Sequence, residues 1–358
     1  MSSAEQRQDL PLISIIVNNF NYARFVSAAI DSALAQSYVP VEVIVVDDGS
    51  TDHSREVISS YAEKASAVFK RNGGQASAFN AGFRASHGSI VLFLDADDLL
   101  MPEAVEEVVR AWHHGVAKAQ FVLAHIDAEG RALEGTVPYS PEQMPQGDLR
   151  ASILERGGYI GAPTSGNAFA REVLGQMLPL PEPQWNQAAD APILIIAPFL
   201  GEVVSLTKTL GCYRIHASNL GMLSQELDAR KLRVKIIIDL QREWALREFA
   251  RESGFTVPRN WAARDPAHIK YRLASLRVDP THHPLLDDRP IPLMVAGIQS
   301  TWRNRGYNLR GKLFHTLWFP LAALLPQAAA TNIIRRGLMP GRRRAKVPAT
   351  PAKQVPSL

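Results

Sequence analysis

The chain of 358 residues has a single cysteine, Cys212, so no disulfide can form within it and its core must be held by packing. Acidic residues are missing from the rear: residues 301–358 hold eleven Lys/Arg and no Asp or Glu. The front has the opposite bias, with seven Lys/Arg against twelve Asp/Glu in residues 1–100. Ends of opposite charge suit different partners, a cation in front and an anionic surface behind. The N-terminal MSSAEQRQDLP carries no apolar run, which disfavours a cleaved secretory signal and, with the missing disulfides, leads us to expect a cytoplasmic location. Two nucleotide signatures are also missing. No Gly-x-Gly-x-x-Gly follows the first apolar strand, and no Gly-Lys-Ser/Thr follows Gly73-Gly74, which disfavours a dinucleotide dehydrogenase and excludes a P-loop. No internal repeat is visible.

What is present is the balance of a folded domain, 46% hydrophobic and 21% charged. The length suggests one large domain with an appendage. Short apolar runs at Ile13–Val17, Val41–Val46 and Ile90–Leu94 read as buried strands, with a shorter one near Ala67–Lys70. Helical spacing occupies Arg24–Gln36, Ser54–Lys64, Gly74–Ser86, Pro102–Trp112 and, in one long charged stretch, Leu227–Glu252. Strand and helix alternating at this cadence predict an α/β fold, a mainly parallel sheet flanked by helices, followed by a helical C-terminal extension. Further strands are expected at Phe121–His125, Val203–Leu206 and Leu210–Ile215, and a connector over the proline-rich residues 255–292. Three apolar strands end in polar clusters, at 18–21, 47–52 and 95–98, and in open α/β sheets such clusters converge on one crevice.

Asp95-Ala96-Asp97-Asp98 is the strongest chemical signal. Carboxylates two apart on extended chain face one side and repel unless a cation lies between them. Mg²⁺ or Mn²⁺ binds through one or two carboxylates plus phosphate oxygens, and neutralises a diphosphate as it leaves. The competing reading is an acidic turn with Asp98 capping the next helix. Asp47-Asp48-Gly49-Ser50 offers a carboxylate to a base or ribose, or equally a turn and helix cap. Arg71-Asn72-Gly73-Gly74 lets the backbone approach a phosphate at a helix start. His113-His114 and His282-His283 lack companion ligands.

The strings LISIIVNNFNYARFVSAAIDSALAQSY, VEVIVVDDGSTD and RNGGQASAFNAGFRASHGSIVLFLDADDLLMPE, in that order and spacing, resemble glycosyltransferase family 2, whose members have the GT-A fold. The resemblance implies that Asn18, Phe20 and Asp48 lie near the nucleoside of a nucleotide-sugar, and that Arg71 and Gly74 line the same pocket. It makes Asp95 and Asp97 the family's Asp-x-Asp metal motif. It also implies a catalytic base further on, for which Asp190 is the best match, although Ala189 stands where the family often has an acid. Asp190 as a helix cap is the alternative. The segment Cys212-Tyr213-Arg214-Ile215-His216 matches the family's Tyr-Arg-x-His ending, with His216 expected at the donor diphosphate and Arg214 bracing the site.

The expected activity is metal-dependent, inverting transfer of a hexosyl-type group from a nucleotide-diphospho-sugar, UDP favoured, to a saccharide or lipid-linked acceptor. Polysaccharide biosynthesis is the setting this suggests. The alternatives are a non-catalytic nucleotide-sugar binder at a membrane and a nucleotidyltransferase making such sugars. The latter normally shows a Gly-x-Gly-x-Arg first loop, unlike Asn18-Asn19-Phe20-Asn21. Expected divisions are 10–220, 221–312 and 313–358. The last contains Leu313–Ile334, free of charge but broken by Pro320 and Pro326, and a basic end. It is a poor membrane span and fits either an interfacial segment on anionic lipid at the inner face of the membrane or a helix packed on the domain. Nucleic-acid binding is not expected, because no aromatic residues interleave the basic run.

Overall fold

The computed structural model describes residues 10–216, 227–304 and 307–338. Its strands are β1 (Ile13–Asn19), β2 (Val41–Asp47), β3 (Ser66–Phe69), β4 (Ile90–Asp95), β5 (Leu99–Leu100), β6 (Val116–Ile126), β7 (Ala132–Val137), β8 (Asn167–Ala170) and β9 (Glu202–Arg214). The helices of the front part are α1 (Val26–Leu34), α2 (Ser54–Ser59), α3 (Gln75–Ala85), α4 (Ala104–Ala111), α5 (Arg150–Arg156), α6 (Arg171–Gly175), α7 (Glu182–Trp185) and α8 (Asp190–Ile196). Those of the rear are α9 (Ala229–Ser253), α10 (Pro266–Val278), α11 (Pro290–Arg303), α12 (Leu309–Leu324) and α13 (Gln327–Leu338).

All nine strands join one sheet in the order β3-β2-β1-β4-β8-β6-β9-β5, with β7 on β6. The first four are parallel, as the βα cadence requires. Beyond β4 the sheet is mixed: β8 runs antiparallel to both β4 and β6, and β9 runs parallel to β6. The strands at 203–206 and 210–215 are one continuous strand, its register against β6 shifted by bulges.

The central strands are apolar on both faces because helices cover both. Ile13, Ile15 and Val17 pack with Val26, Ile30, Ala104 and Val108 of α1 and α4. Ile16, Val91 and Phe93 pack with Ala76, Phe79 and Ile193 of α3 and α8. Phe79 and Phe93 stack with ring centroids 4.1 Å apart.

The proline-rich stretch expected to be a connector contains α10. Pro266 is its first residue, and the Asp265 carboxylate accepts from the Ala267 N–H as its N-cap. A proline at the first helical position starts a helix, so composition alone misread this segment. The rear helices build their own core from Leu232, Ile269, Leu273, Leu293, Trp318 and Phe319. They are tied to the front by α9, whose Ala245, Leu246 and Ala250 join the core that holds Trp185 and Trp261. The division expected at 312/313 falls inside α12, and residues 217–226, at the other expected boundary, lie outside those described.

Candidate active site

Strand register brings the three polar clusters together. Asn19 of β1 is level with Asp47 of β2, and Asn18 with Asp95 of β4. The chain crosses over just beyond: the Asp48 N–H donates to Asn19 O (2.9 Å) and the Ala96 N–H to Asn18 O (3.1 Å). Side chains lock the crossing, with Asn19 Nδ2 donating to Asp47 Oδ1 (2.8 Å) and the Asn21 N–H to Ser50 Oγ (2.9 Å). Asn18, expected at the nucleoside, has both polar side-chain atoms buried with no hydrogen-bond partner among the described residues. Buried amides are normally satisfied, so an unpaired one beside the crevice is unusual. Phe20 stands at the rim, 43% exposed.

Asp48 is placed differently from a free base-contacting carboxylate. It is buried, pairs with Lys70 Nζ at 2.5 Å, and accepts the N–H groups of Gly73 (3.1 Å) and Gly74 (2.7 Å). It therefore shapes the loop at 71–74, while the Arg71 side chain stays exposed. Gly74 sits at φ +83°, where a Cβ would lie 2.6 Å from Asn186 Cβ. That close approach, sealed by the Gln75 N–H donating to Asn186 O (2.9 Å), couples the loop to the segment leading into Asp190.

Asp190 is the first residue of α8, and no side chain caps that helix. Its carboxylate instead accepts from Thr164 Oγ1 at 3.2 Å, and the hydroxyl of the next residue, Ser165, accepts the Asp95 N–H at 3.1 Å. One short turn, Thr164–Gly166, thus touches both the first acid of the expected metal motif and the candidate base. Burial, then the charges of Asp97 and Asp190, push the Asp95 carboxyl well above the usual carboxylate range. Burial and the charges of Asp97 and Asp95 do the same to Asp98. Ala189, in place of an acid, is fully buried in the core, where a second carboxylate would be stranded.

Asp98 does not cap a helix. It accepts from Ser165 Oγ (2.7 Å) and from the Arg214 N–H (2.9 Å), tying the end of β4 to the 164–166 turn and to β9. Arg214 donates from Nε to Asp97 O (2.7 Å) and from Nη1 to Asp127 O (3.1 Å), bracing the acidic loop. His216, expected at the diphosphate, lies with Nε2 2.9 Å from Asp97 Oδ2, its ring against Tyr22 and Phe25. Among the described residues no three His, Cys, Asp or Glu side chains form a metal cage. A hard divalent ion completing its shell with phosphate and water does not need one, and the mutual repulsion of the clustered carboxyls fits a cation among them.

Behind the crevice, Lys118 of β6 is fully buried with its ammonium 2.8 Å from Tyr159 Oη, which itself donates to Leu194 O (2.7 Å). Burial brings its pKa down to about 7, against an opposing pull from the charge of Asp190. A cavity of about 160 Å³ lies alongside, lined by Gly158, Tyr159, Leu194, Arg242, Asp265 and His268, between the front domain and α9–α10.

Sequence reasoning missed Thr164, Ser165, Lys70 and Lys118. Only Lys118 left a signal, a lone lysine within the apolar run VAKAQFVLAHI. The others act through partners far away in the chain.

A parallel-to-mixed sheet with an acidic loop beyond β4 and a second acid on α8 is an α/β fold of the GT-A type. Residues 14–174 match the model described as "Glycosyl transferase family 2", so this segment resembles that family. It is 40% identical over 213 residues, 58% of its length, to an uncharacterized glycosyltransferase of Nostoc sp.. It is 41% identical over 99 residues, 28% of its length, to one of Rickettsia prowazekii. The matches span 66% of the Nostoc protein and 31% of the Rickettsia protein, less than two thirds of either. A solved structure, the mannosyltransferase PcManGT from Pyrobaculum calidifontis in complex with GDP-Man and Mn²⁺, aligns over 92% of this chain and 86% of its own at 16% identity and a TM-score of 0.49.

Proposed function

We propose that this protein is a divalent-metal-dependent, inverting glycosyltransferase that moves a hexosyl-type group from a nucleotide-diphospho-sugar, UDP favoured, to a saccharide or lipid-linked acceptor. The observation that carries the reading is the Thr164–Ser165 turn, whose hydroxyls bond Asp190 and the Asp95 N–H and so bring the expected metal-motif loop beside the candidate base at the carboxyl end of β4. The family-model match over residues 14–174 and the relatives named glycosyltransferase support glycosyl transfer in general.

In this reading Asp95 and Asp97 would hold a divalent ion beside the donor diphosphate, where it would supply charge neutralisation of that leaving group. Asn18 and Phe20 receive the nucleoside, the amide through its unsatisfied donor and acceptor. Asp48 acts indirectly, fixing the loop at 71–74 so that Arg71 and the Gly74 backbone face the donor. His216 orients Asp97. Asp190 takes the proton from the acceptor hydroxyl as its oxygen bonds to the anomeric carbon and the bond to diphosphate breaks. Its hydrogen bond to Thr164 aims the carboxylate, and no capping duty competes for it.

Calorimetric titration of UDP with Mn²⁺ and with EDTA, for wild type and Asp97→Ala, tests the donor site. Metal-dependent binding that the variant loses is the expected result. Failure of UDP, GDP and dTDP alike to bind in Mn²⁺ removes the donor site. Binding without turnover of any nucleotide-sugar favours the non-catalytic reading.

A further inference from the structure

The sequence left Leu313–Ile334 between two readings, a packed helix and an interfacial segment, and the structure lets both hold on opposite faces of α12. One face, His315, Trp318, Phe319, Ala322 and Ala323, is buried in the rear core. Gly297 of α11 makes this possible, since a Cβ there would lie 2.3 Å from the Phe319 ring.

The other face is apolar and uncovered among the described residues. Leu309, Leu313, Leu317 and Leu324 are 63%, 55%, 65% and 62% exposed, and Phe314 is 48% exposed. Leu309, Leu313 and Leu317 recur every fourth residue, so they form one ridge along the helix. Trp302, 48% exposed, donates its indole N–H to Thr316 Oγ1 (3.0 Å) and has Lys312 Nζ 5.6 Å from its ring centroid, which puts an amphipathic aromatic at the edge of that ridge. A lone exposed leucine needs no explanation, but a row of them on one helix marks a contact surface.

Charge identifies the partner. In sequence, Arg303, Arg310 and Lys312 lie within ten residues of the ridge and Arg335 and Arg336 follow on α13, and residues 301–358 hold eleven Lys/Arg and no acid. A second copy of the chain would set one such cationic rim against another, which repel. An anionic lipid leaflet offers the opposite charge and an apolar layer beneath it. Crossing the bilayer is ruled out for this helix: none among the described residues is long and apolar enough, and Pro320 lies inside α12.

We infer that the exposed Leu309–Leu313–Leu317 ridge of α12, with Trp302 and its basic rim, seats the protein on the surface of an anionic lipid bilayer, lying in the interface. The inference stands apart from the donor-site reading, because it needs neither metal nor nucleotide.

The test is co-sedimentation of the full chain with phosphatidylcholine vesicles, with and without phosphatidylglycerol. Wild type should bind the anionic vesicles, bind the neutral ones far less, and release in high salt. Leu313→Ser/Leu317→Ser should weaken binding at least about tenfold, with an unchanged thermal melt since both side chains face outward. Arg310→Glu/Lys312→Glu should weaken binding in the same direction. Equal binding to both vesicle types overturns the inference. So does full binding by the leucine variant, which would leave only electrostatic adsorption. A lipid-free dimer that the leucine variant dissociates would assign the ridge to a second copy instead and also overturn it.

Discussion

His216 Nε2 lies 2.9 Å from Asp97 Oδ2, with both side chains about nine-tenths buried, where β9 has run back beside the end of β4. Asp97 therefore does not project freely into the crevice. A ring held by Tyr22 and Phe25 fixes the direction its carboxylate faces.

Groups that orient a metal-binding carboxylate matter nearly as much as the carboxylate. His216→Ala should weaken Mn²⁺ binding in the presence of UDP by about 10- to 100-fold, read by titration calorimetry. Unchanged Mn²⁺ affinity would take His216 out of the donor site.

Removing the candidate base should separate binding from chemistry. Asp190→Asn is expected to lower turnover by about 10²- to 10⁴-fold while UDP binding with Mn²⁺ persists. It also removes one of the charges that raise the Asp95 carboxyl, so the thermal midpoint should hold or rise. Transfer at the wild-type rate would mean that the proton goes elsewhere.

Gly74 and Gly175 make a matched pair. Gly74→Ala forces a Cβ against Asn186 at a φ of +83°, and should cost about 1–3 kcal/mol from the backbone conformation alone. At Gly175 a Cβ meets nothing within 4 Å, so Gly175→Ala should be neutral or stabilising by up to about 1 kcal/mol. Chemical denaturation of the two variants distinguishes them, and equal stabilities would contradict the close approach at Asn186.

Lys118 predicts a pH dependence. Its folded pKa, about 7, lies below the ordinary 10.5, so the unfolded chain binds the extra proton between those values. Stability owed to this group therefore rises with pH across that window, and the cost of burying its charge is fully present below pH 7. Lys118→Met should be more stable than wild type at pH 6 by a few kcal/mol, with ~5 kcal/mol as the ceiling set by the size of the shift. The advantage should shrink toward pH 10. Urea unfolding of both proteins at pH 6, 8 and 10 measures it, and a gap independent of pH would show that the ammonium is not desolvated.

The sequence alone determined the parallel half of the sheet and the place of its crevice. Runs such as Ile13–Val17 and Ile90–Leu94 can be buried on both faces only as central strands, and the residues next in the chain must then lie at the carboxyl ends of those strands, on the crevice side. Asp95, Asp97 and Asp190 were legible as acids at element ends. Tertiary structure decided what those acids touch. Whether Asp190 caps a helix or faces the crevice depends on Thr164, and the duty of Asp98 depends on Ser165 and Arg214. Asp48 is tied to the loop at 71–74 through Lys70 and Gly74. These are pairings across long stretches of chain, which no local pattern encodes. In the same way, composition showed that α12 is apolar, but only packing against Gly297 decided which side of it is core and which side is left for a partner.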